Sequence, residues 1–361
     1  MQLPVNNFLW QGFLLFGYMK KISRYIIITI LLLAVICVWL VFGSATAFEG
    51  KSKYIFVRDT GNIKEQVMKQ IDTGHIVRFP GVFNLIASNA DVWQRLKPGR
   101  FEVKKGENTL TIVRTLRNNT QSPVRFTIIK LRLKEDLAKQ IGKNFSTDSA
   151  AAIHFLESND SLKQLDVDSN TVLSLIIPDT YLIKWNTSLK NILKKIKSEG
   201  ENFWKKNDRL QKAQQQGLTP LQVYTIASII EEETNKNDEK GNIASVYINR
   251  LNKGMPLQAD PTIKYALRDF SIRRIYYDYL KIESPYNTYR NKGLPPGPVC
   301  TPSQATIDAV LNAPKTEYLY FVAKNDFSGY HHFSNNFAEH EQYAKAYQKA
   351  LDSLISKKQI P

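Results

Sequence analysis

The stretch IASIIEEETNKNDEKGNIASVYINRL, residues 226–251, places three consecutive glutamates directly after an apolar run. At about 100° per residue along a helix, Glu233 falls on the same face as the isoleucines before it. Glu231 falls at the edge of that face, and Glu232 points away from it. A carboxylate against an apolar face has a raised pKa, which suits a general acid. The pattern therefore nominates Glu231 or Glu233, with the alternative that both only bond basic side chains or backbone amides.

The N-terminal part of the chain contains an uncharged apolar run at 25–48. About 20 apolar residues cross a bilayer, so this run predicts a transmembrane helix. Lys20, Lys21 and Arg24 precede it, which predicts a cytoplasmic tail at 1–24 and an external remainder. The run exceeds the roughly 7–15 apolar residues of a cleaved signal peptide, so an uncleaved anchor is favoured over that alternative.

Met19 stands directly before the basic residues that flank the apolar run, in the position of a natural start. Residues 1–18 are therefore interpreted as an upstream extension without a function of its own.

The chain has 361 residues and a formal net charge of +16, with 43% hydrophobic and 23% charged residues. This composition predicts folded domains and an anionic partner, such as nucleic acid, lipid headgroups or an acidic polymer. An external location excludes nucleic acid. Cys37 lies in the apolar run and Cys300 lies far from it, so no internal disulfide is expected. No Cys/His grouping has zinc spacing, and no metal site is expected.

Strand and helix patterns predict an α+β protein. Residues 51–125 read as a small α+β domain that ends in a strand–turn–helix unit at 100–117, and the same pattern recurs immediately afterwards. Residues 126–361 read as a helix-rich α+β domain.

Loops between the helices of the second domain are rich in aromatic, amide and proline residues, notably at 286–297. Aromatic faces suit the C–H side of a sugar, and amides and hydroxyls suit its polar groups. Asp260 precedes Pro261, so it is either a helix N-cap or part of such a site.

The chain resembles the endolytic murein transglycosylase, or YceG-like, family of bacterial inner-membrane proteins. The motifs that carry this resemblance are PDTY (178–181), IASIIEEET (226–234), INRL (248–251), LQADPT (257–262), YNTY (286–289), GLPPG (293–297), Thr301-Pro302 and HHFS (331–334). Three positions depart from the family pattern: Leu173-Ser174 near the PDTY turn, His332, and Pro298. None of these departures involves the nominated glutamates.

The resemblance implies that Glu231 is the catalytic acid, which resolves the choice that helical geometry left open, and that Glu233 supports it. It implies that substrate is bound by residues of the motif loops. These are Glu233, Gln258, Asp260, Thr262, Tyr286, Asn287, Thr288, Tyr289, Pro295, His331 and Phe333.

The implied activity is that of a lytic transglycosylase, a lyase that cuts between N-acetylmuramic acid and N-acetylglucosamine and leaves 1,6-anhydro ends. It needs no metal or organic cofactor. The implied location is the inner membrane with the catalytic domain outside, and 51–125 is expected to be LysM-like. The expected partners are peptidoglycan strands, lipid around residues 25–48 and peptidoglycan synthases.

Two alternatives remain open. One is an inverting muramidase that uses water, with Asp260 or Asp179 as the base. The other is a non-catalytic glycan-binding scaffold of the wall-synthesis machinery.

Overall fold

The fold was analysed in a computed structural model, which describes residues 7–358. The interpretation of residues 1–18 as an upstream extension falls partly outside these residues. Within them the protein is mixed α+β, with fifteen α-helices and three two-stranded antiparallel sheets. The chain divides into two compact units: unit 1 comprises residues 1–123 and 184–186, and unit 2 comprises 124–183 and 187–361.

Unit 1 contains one long helix followed by a small α+β core. Its elements are α1 (Asn7–Phe42), β1 (Ser52–Val57), α2 (Ile63–Thr73), α3 (Pro80–Asn89), α4 (Val92–Arg95), β2 (Gly99–Lys104) and α5 (Thr109–Arg117). Strands β1 and β2 pair antiparallel, with Ile55 opposite Phe101. Both side chains are fully buried, as the alternating pattern of a half-buried strand requires.

Helix α1 is the apolar helix that the sequence predicts. Its segment Lys21–Phe42 has a mean hydropathy of 3.0 and is long and apolar enough to cross a membrane. The helix ends at Phe42, before the end of the expected span 25–48. Residues 44–48 instead pair with unit 1, where Ala45 and Phe48 are buried. The predicted span of 25–48 was too long because it was based on apolar character alone. Residues that enter a protein core are as apolar as residues that cross a membrane.

Unit 2 carries the remaining elements. These are β3 (Val124–Ile128), α6 (Lys134–Asn144), α7 (Ser149–Glu157), α8 (Asn159–Lys163), β4 (Asp179–Ile183), α9 (Leu189–Lys205), α10 (Arg209–Gln215), α11 (Pro220–Glu233), α12 (Lys240–Asn252), α13 (Asp260–Leu267), α14 (Gln304–Leu311), β5 (Tyr320–Ala323), β6 (His331–Ser334) and α15 (Phe337–Lys358). Short 3₁₀ turns lie at Val172–Leu175 and Tyr277–Lys281.

The strand–turn–helix pattern that recurs after residue 117 does not continue the sheet of unit 1. Strand β3 pairs antiparallel with β4, so the second copy of the pattern belongs to unit 2. Phe126 lies opposite Tyr181 in this pairing. The sequence could not choose the partner strand, because pairing depends on long-range packing rather than on local pattern.

The core of unit 2 is built around α11. This helix begins with a capping box, in which Thr219 and Gln222 exchange hydrogen bonds, and with Pro220 in the first helical turn. Every residue from Val223 to Ile230 is buried, so the helix is enclosed on all sides rather than on one face. Helices α12 and α14 pack against it. Because the helix has no single buried face, the position of a glutamate around the helix does not by itself show whether that glutamate is buried.

Candidate active site

The three glutamates occupy the last turn of α11, where the helix emerges from the core. Each is only partly buried, whereas the preceding residues are fully buried. Their side chains diverge into three separate environments. Glu231, Glu232 and Glu233 are therefore not one acidic cluster, and each has to be considered separately.

One oxygen of Glu231 is held by three donors. Its Oε2 atom accepts hydrogen bonds from Ser303 Oγ (3.0 Å) and from Lys240 Nζ (3.3 Å), and a short one from Thr306 Oγ1. Lys240 also donates to Thr306 Oγ1 at 2.7 Å. The Oε1 atom of Glu231 accepts no hydrogen bond from residues 7–358, and the Glu231 side chain is 16% exposed. The carboxylate is thus fixed through one oxygen and open at the other.

These contacts decide the charge of Glu231. Burial is the largest single influence and raises its pKa. The hydrogen bond from Thr306, the positive charge of Lys240 and the hydrogen bond from Ser303 together outweigh it, and the pKa lies below its usual range. Glu231 is therefore a carboxylate near neutral pH in the free protein, ready to accept a proton.

The donors reach Glu231 because the chain before α14 is pinned to α11. The backbone N–H of Val299 donates to Ser228 Oγ (3.0 Å), one turn before Glu231. Thr301 exchanges two hydrogen bonds of 2.8 Å with the backbone of Leu131. Ser303 follows as the N-cap of α14, where its side chain accepts a hydrogen bond from the Thr306 N–H. The same hydroxyl that caps α14 is therefore presented to Glu231.

Glu232, which helical geometry left without a role, forms an ion cluster. Arg132 Nε and Nη2 each donate to it at 2.9 Å, and Lys130 Nζ lies 3.0 Å away. The Glu232 side chain is 14% exposed. This cluster ties the loop after β3 to the end of α11. Glu232 does lie away from the face that helical geometry assigned to the core, and the β3–α6 loop covers that side of the helix.

Glu233 lies in a different environment, beside Asp260 and Tyr289. Burial, and then the charge of Asp260, raises the pKa of Glu233 to about 8, with Lys264 acting in the opposite direction. Tyr289 donates its hydroxyl to Asp260 Oδ1 at 2.5 Å. Asp260 is the first residue of α13 and caps nothing with its side chain, so the N-cap alternative is wrong. Its carboxylate is held by a tyrosine instead.

Several of the predicted substrate-binding residues hold the loops rather than lie open. Thr262 and Thr288 are buried, and their hydroxyls bond each other at 2.8 Å. Asn287 is fully buried and donates to the backbone of the 3₁₀ turn that precedes it. Tyr286 is 7% exposed and packs against Tyr265 in a tilted arrangement, with 4.5 Å between ring centroids. These groups shape the loops and do not reach solvent.

Other predicted residues keep some exposure. Gln258 is exposed, has a positive φ of 54° and accepts a hydrogen bond from Arg250. Phe333 is half-buried on β6 and lies 5.4 Å from Tyr318, measured between ring centroids. Pro295, in contrast to these two residues, is buried in the proline-rich loop.

His331 belongs to a second hydrogen-bonded group. Its Nδ1 atom lies 2.8 Å from Oε1 of Glu239, and its backbone N–H donates to Oε2 of the same residue at 3.0 Å. Thr234 donates to Glu239 at 2.8 Å. Glu239 is 4% exposed and immediately precedes Lys240. This group therefore fixes the turn between α11 and α12 that delivers Lys240 to Glu231.

Sequence reasoning missed the three donors to Glu231 and the partners of Glu232. Ser303 followed a recognised Thr-Pro motif and carried a usable signal as a cap residue. No signal in the sequence marked the other four, because only folding brings them next to α11. These are Lys240, Thr306, Lys130 and Arg132.

A partly exposed carboxylate, fixed through one oxygen and surrounded by donors, is suited to general acid–base chemistry. Among residues 7–358 no group of three or more metal-ligating side chains occurs. Among the described residues, the fold and this site thus define a protein that carries a carboxylate suited to proton transfer, Glu231, at the end of a buried helix.

Comparison with known proteins identifies the family. A model of the YceG-like family matches residues 57–346, and the chain belongs to that family. An endolytic murein transglycosylase of Bacillus subtilis is 39% identical over 162 residues, which are 45% of this chain and 44% of the relative. One of Streptococcus pneumoniae (strain R6) is 27% identical over 323 residues, which are 80% of this chain and 58% of the relative.

The chain thus spans about half the length of the curated relatives it matches. A solved YceG-like protein from Listeria monocytogenes has the same fold, with a TM-score of 0.53 and 25% identity. The likeness covers 81% of this chain and 98% of that one.

Proposed function

We propose that this protein is a membrane-anchored lytic transglycosylase that cuts peptidoglycan strands between N-acetylmuramic acid and N-acetylglucosamine. The observation that carries the proposal is Glu231, with Oε2 held by Lys240, Ser303 and Thr306 and Oε1 open to solvent. The names of the Bacillus and Streptococcus relatives support peptidoglycan as the substrate and endolytic cleavage as the mode.

One carboxylate is enough for this reaction. Protonated Glu231 gives its proton to the glycosidic oxygen as the bond to the muramyl C1 breaks. The resulting carboxylate then accepts the proton of the muramyl C6 hydroxyl, whose oxygen attacks C1 and closes the 1,6-anhydro ring. The proton returns to Glu231, and no water is consumed. Most glycosidases need a second carboxylate to activate water or to form the covalent intermediate.

The first step needs a proton that the resting carboxylate does not hold. A sugar placed over Oε1 displaces water from the open side of Glu231. Desolvation raises the pKa of a carboxyl group, so substrate binding favours the protonated form. Lys240, Ser303 and Thr306 then stabilise the carboxylate that forms as the bond breaks, which is the charge that develops in the transition state.

The substrate-binding roles fall to residues that are partly exposed. Gln258, Phe333 and the face of His331 that is not bonded to Glu239 are proposed to contact the sugar. Tyr289 and Asp260, which are joined by a hydrogen bond, are proposed to bind the sugar together. The buried residues Tyr286, Asn287, Thr288, Thr262 and Pro295 are proposed to hold the loops in place, and Glu233 to support the end of α11.

We propose that α1 anchors the chain in the inner membrane, with unit 2 on the external side. The apolar segment Lys21–Phe42 and the basic residues at its start support this orientation. Protease added to spheroplasts should digest unit 2, and the protein should sediment with membranes. Protection of unit 2 in spheroplasts would contradict the orientation.

Unit 1 after residue 51 is proposed to be a LysM-like module that contacts glycan. Its own buried core around β1 and β2 supports an independent small α+β module. Peptidoglycan synthases are proposed as partners, on the ground that an anchored glycan-cutting enzyme acts where strands are made.

Digestion of glycan strands in oxygen-18 water tests the reaction. The transglycosylase predicts unlabelled muramyl ends that are lighter by one water than hydrolytic ends. Labelled reducing ends would replace this proposal with the muramidase alternative. In that case Asp260→Asn or Asp179→Asn should be as damaging as Glu231→Gln. Glycan binding without any cleavage would favour the scaffold instead.

A further inference from the structure

A cavity of about 480 Å³ lies in unit 2 beside the candidate active site. It is formed by β4, by the C-terminal half of α9 and the turn into α10, and by the first residue of α14. Its polar lining includes the amide side chains of Asn202, Asn207 and Gln304 and the ammonium groups of Lys195 and Lys206. Phe203 and Ile177 supply apolar surface at its base. The mechanism derived above uses none of these residues.

Two of the three cations at this cavity are paired with carboxylates. Lys195 is paired with Glu199 at 2.6 Å, and Arg209 is paired with Asp308 at 2.7 Å. In the part of the chain that the structure describes, Lys206 forms no ion pair within 4.0 Å. Asp179 stands on β4 at another part of the wall, with its Oδ1 bonded to the Thr180 N–H. The cavity therefore offers a cation, a separate carboxylate and several amides.

Helix α14 connects the cavity to Glu231. Ser303 and Thr306 lie on one side of this helix and donate to Glu231. Gln304 lines the cavity, and Asp308, one turn further along on the same side as Gln304, binds the cavity residue Arg209. The cavity and the catalytic carboxylate are therefore separated by one helix, whose full width with side chains is about 10 Å.

We propose that this cavity binds the short peptide that hangs from the muramyl residue of the bond being cut. The proposal rests on the proposed function, because it assumes a peptidoglycan substrate. An extended peptide of three to five residues spans roughly 10–17 Å. That reach is enough to pass from a sugar at Glu231 around the start of α14 into the cavity.

The lining matches the chemistry of such a peptide. Its backbone presents N–H and C=O groups, which the side-chain amides of Asn202, Asn207 and Gln304 can both accept from and donate to. Its carboxylates are complementary to Lys206. An amine on the peptide is complementary to Asp179. A strand without peptides keeps its N-acetyl amides and a lactyl carboxylate beside the sugar ring, but it has no amine and no chain that reaches the cavity. The cavity therefore makes the enzyme selective for strands that still carry their peptides.

The test compares two forms of one substrate. Glycan strands are divided in two, and one half is treated with an amidase that removes the peptides. The full-length protein in detergent should cut the peptide-bearing strands with the higher kcat/KM. Lys206→Glu should reduce the ratio of the two kcat/KM values by about three- to tenfold, the effect of a partly exposed charged contact. Lys194→Glu is the matched control, because Lys194 is an exposed lysine of α9 that does not line the cavity.

The outcomes separate this inference from the proposed function. Equal kcat/KM values on both substrates, or equal effects of the two lysine variants, would overturn the peptide site while leaving the transglycosylase intact. No cleavage of either substrate by the wild-type protein would overturn the proposed function instead. A soluble muramyl peptide should inhibit the wild-type protein more strongly than it inhibits the Lys206→Glu variant. If inorganic phosphate inhibits the wild-type protein as strongly as the muramyl peptide does, the cavity is a general anion site and the peptide assignment is overturned.

Discussion

The Nζ atom of Lys240 lies 3.3 Å from Oε2 of Glu231, and the lysine side chain is only 6% exposed. A lysine enclosed to this degree needs a partner for its charge. Glu231 and the hydroxyl of Thr306 supply that partner. The positive charge of the lysine in turn lowers the pKa of Glu231 and so favours its charged form.

Replacing Lys240 with methionine should move the pH dependence of the reaction. The positive charge lowers the pKa of Glu231, so its loss raises that pKa. A reaction that begins with protonated Glu231 then persists to higher pH, and the alkaline limb of kcat/KM should shift upward. Lys240→Arg is the control that keeps the charge and should shift the limb much less. An unmoved limb in Lys240→Met would show that Lys240 does not tune Glu231.

Glu231→Gln should abolish cleavage while leaving the thermal unfolding midpoint near that of the wild type. Glutamine keeps the shape and most of the hydrogen bonds to Ser303 and Thr306 but cannot transfer a proton. Loss of a general acid–base group lowers rates by typically about 10²–10⁴-fold. The measurement is the release of anhydro-muramyl ends, by mass spectrometry. Full activity in Glu231→Gln together with an inactive Glu233→Gln would move the catalytic role to Glu233.

Glu232→Gln should destabilise unit 2. The substitution leaves Arg132 and Lys130 without their carboxylate, and the loop after β3 loses its attachment to α11. We expect the free energy of unfolding to fall by about 1–3 kcal/mol, measured by urea denaturation. Glu341→Gln is the matched control, because Glu341 pairs with Lys345 at an exposed position on α15. Equal effects of the two substitutions would mean that the Glu232 cluster contributes no more than a surface pair.

Glu233→Gln should change how stability depends on pH. Burial, and then the charge of Asp260, raises the pKa of Glu233 to about 8 in the folded protein, above the ordinary glutamate value of 4.5. The contribution of protonated Glu233 is therefore fully present below about pH 4.5 and is lost as pH rises towards 8. Glutamine mimics the protonated form at every pH. The variant should gain stability relative to wild type as pH rises, and a constant difference in Tm between pH 5 and 9 would contradict this.

Much of the candidate site's location could be predicted from residues 226–334, since the ordered motifs point to Glu231 and to the loops around it. The roles of the individual motif residues could not be predicted from the sequence. Asn287, Thr288 and Thr262 look like sugar-binding residues in the sequence, yet they are buried and bond loop backbone or one another. A polar side chain in a loop reads the same whether it faces a ligand or its own backbone, and only packing distinguishes the two.

The sequence by itself determined the apolar N-terminal helix, the α+β class, the helix that carries the three glutamates and the motif loops that follow it. These features depend on local composition, on periodicity and on cap residues such as Thr219. Only the tertiary structure decided that Lys240, Ser303 and Thr306 hold Glu231 and that Arg132 holds Glu232. It also decided that burial, and then the charge of Asp260, raises the pKa of Glu233. The reason is physical: charge state and orientation depend on neighbours within a few ångströms, and folding brings those neighbours from up to about 100 residues away.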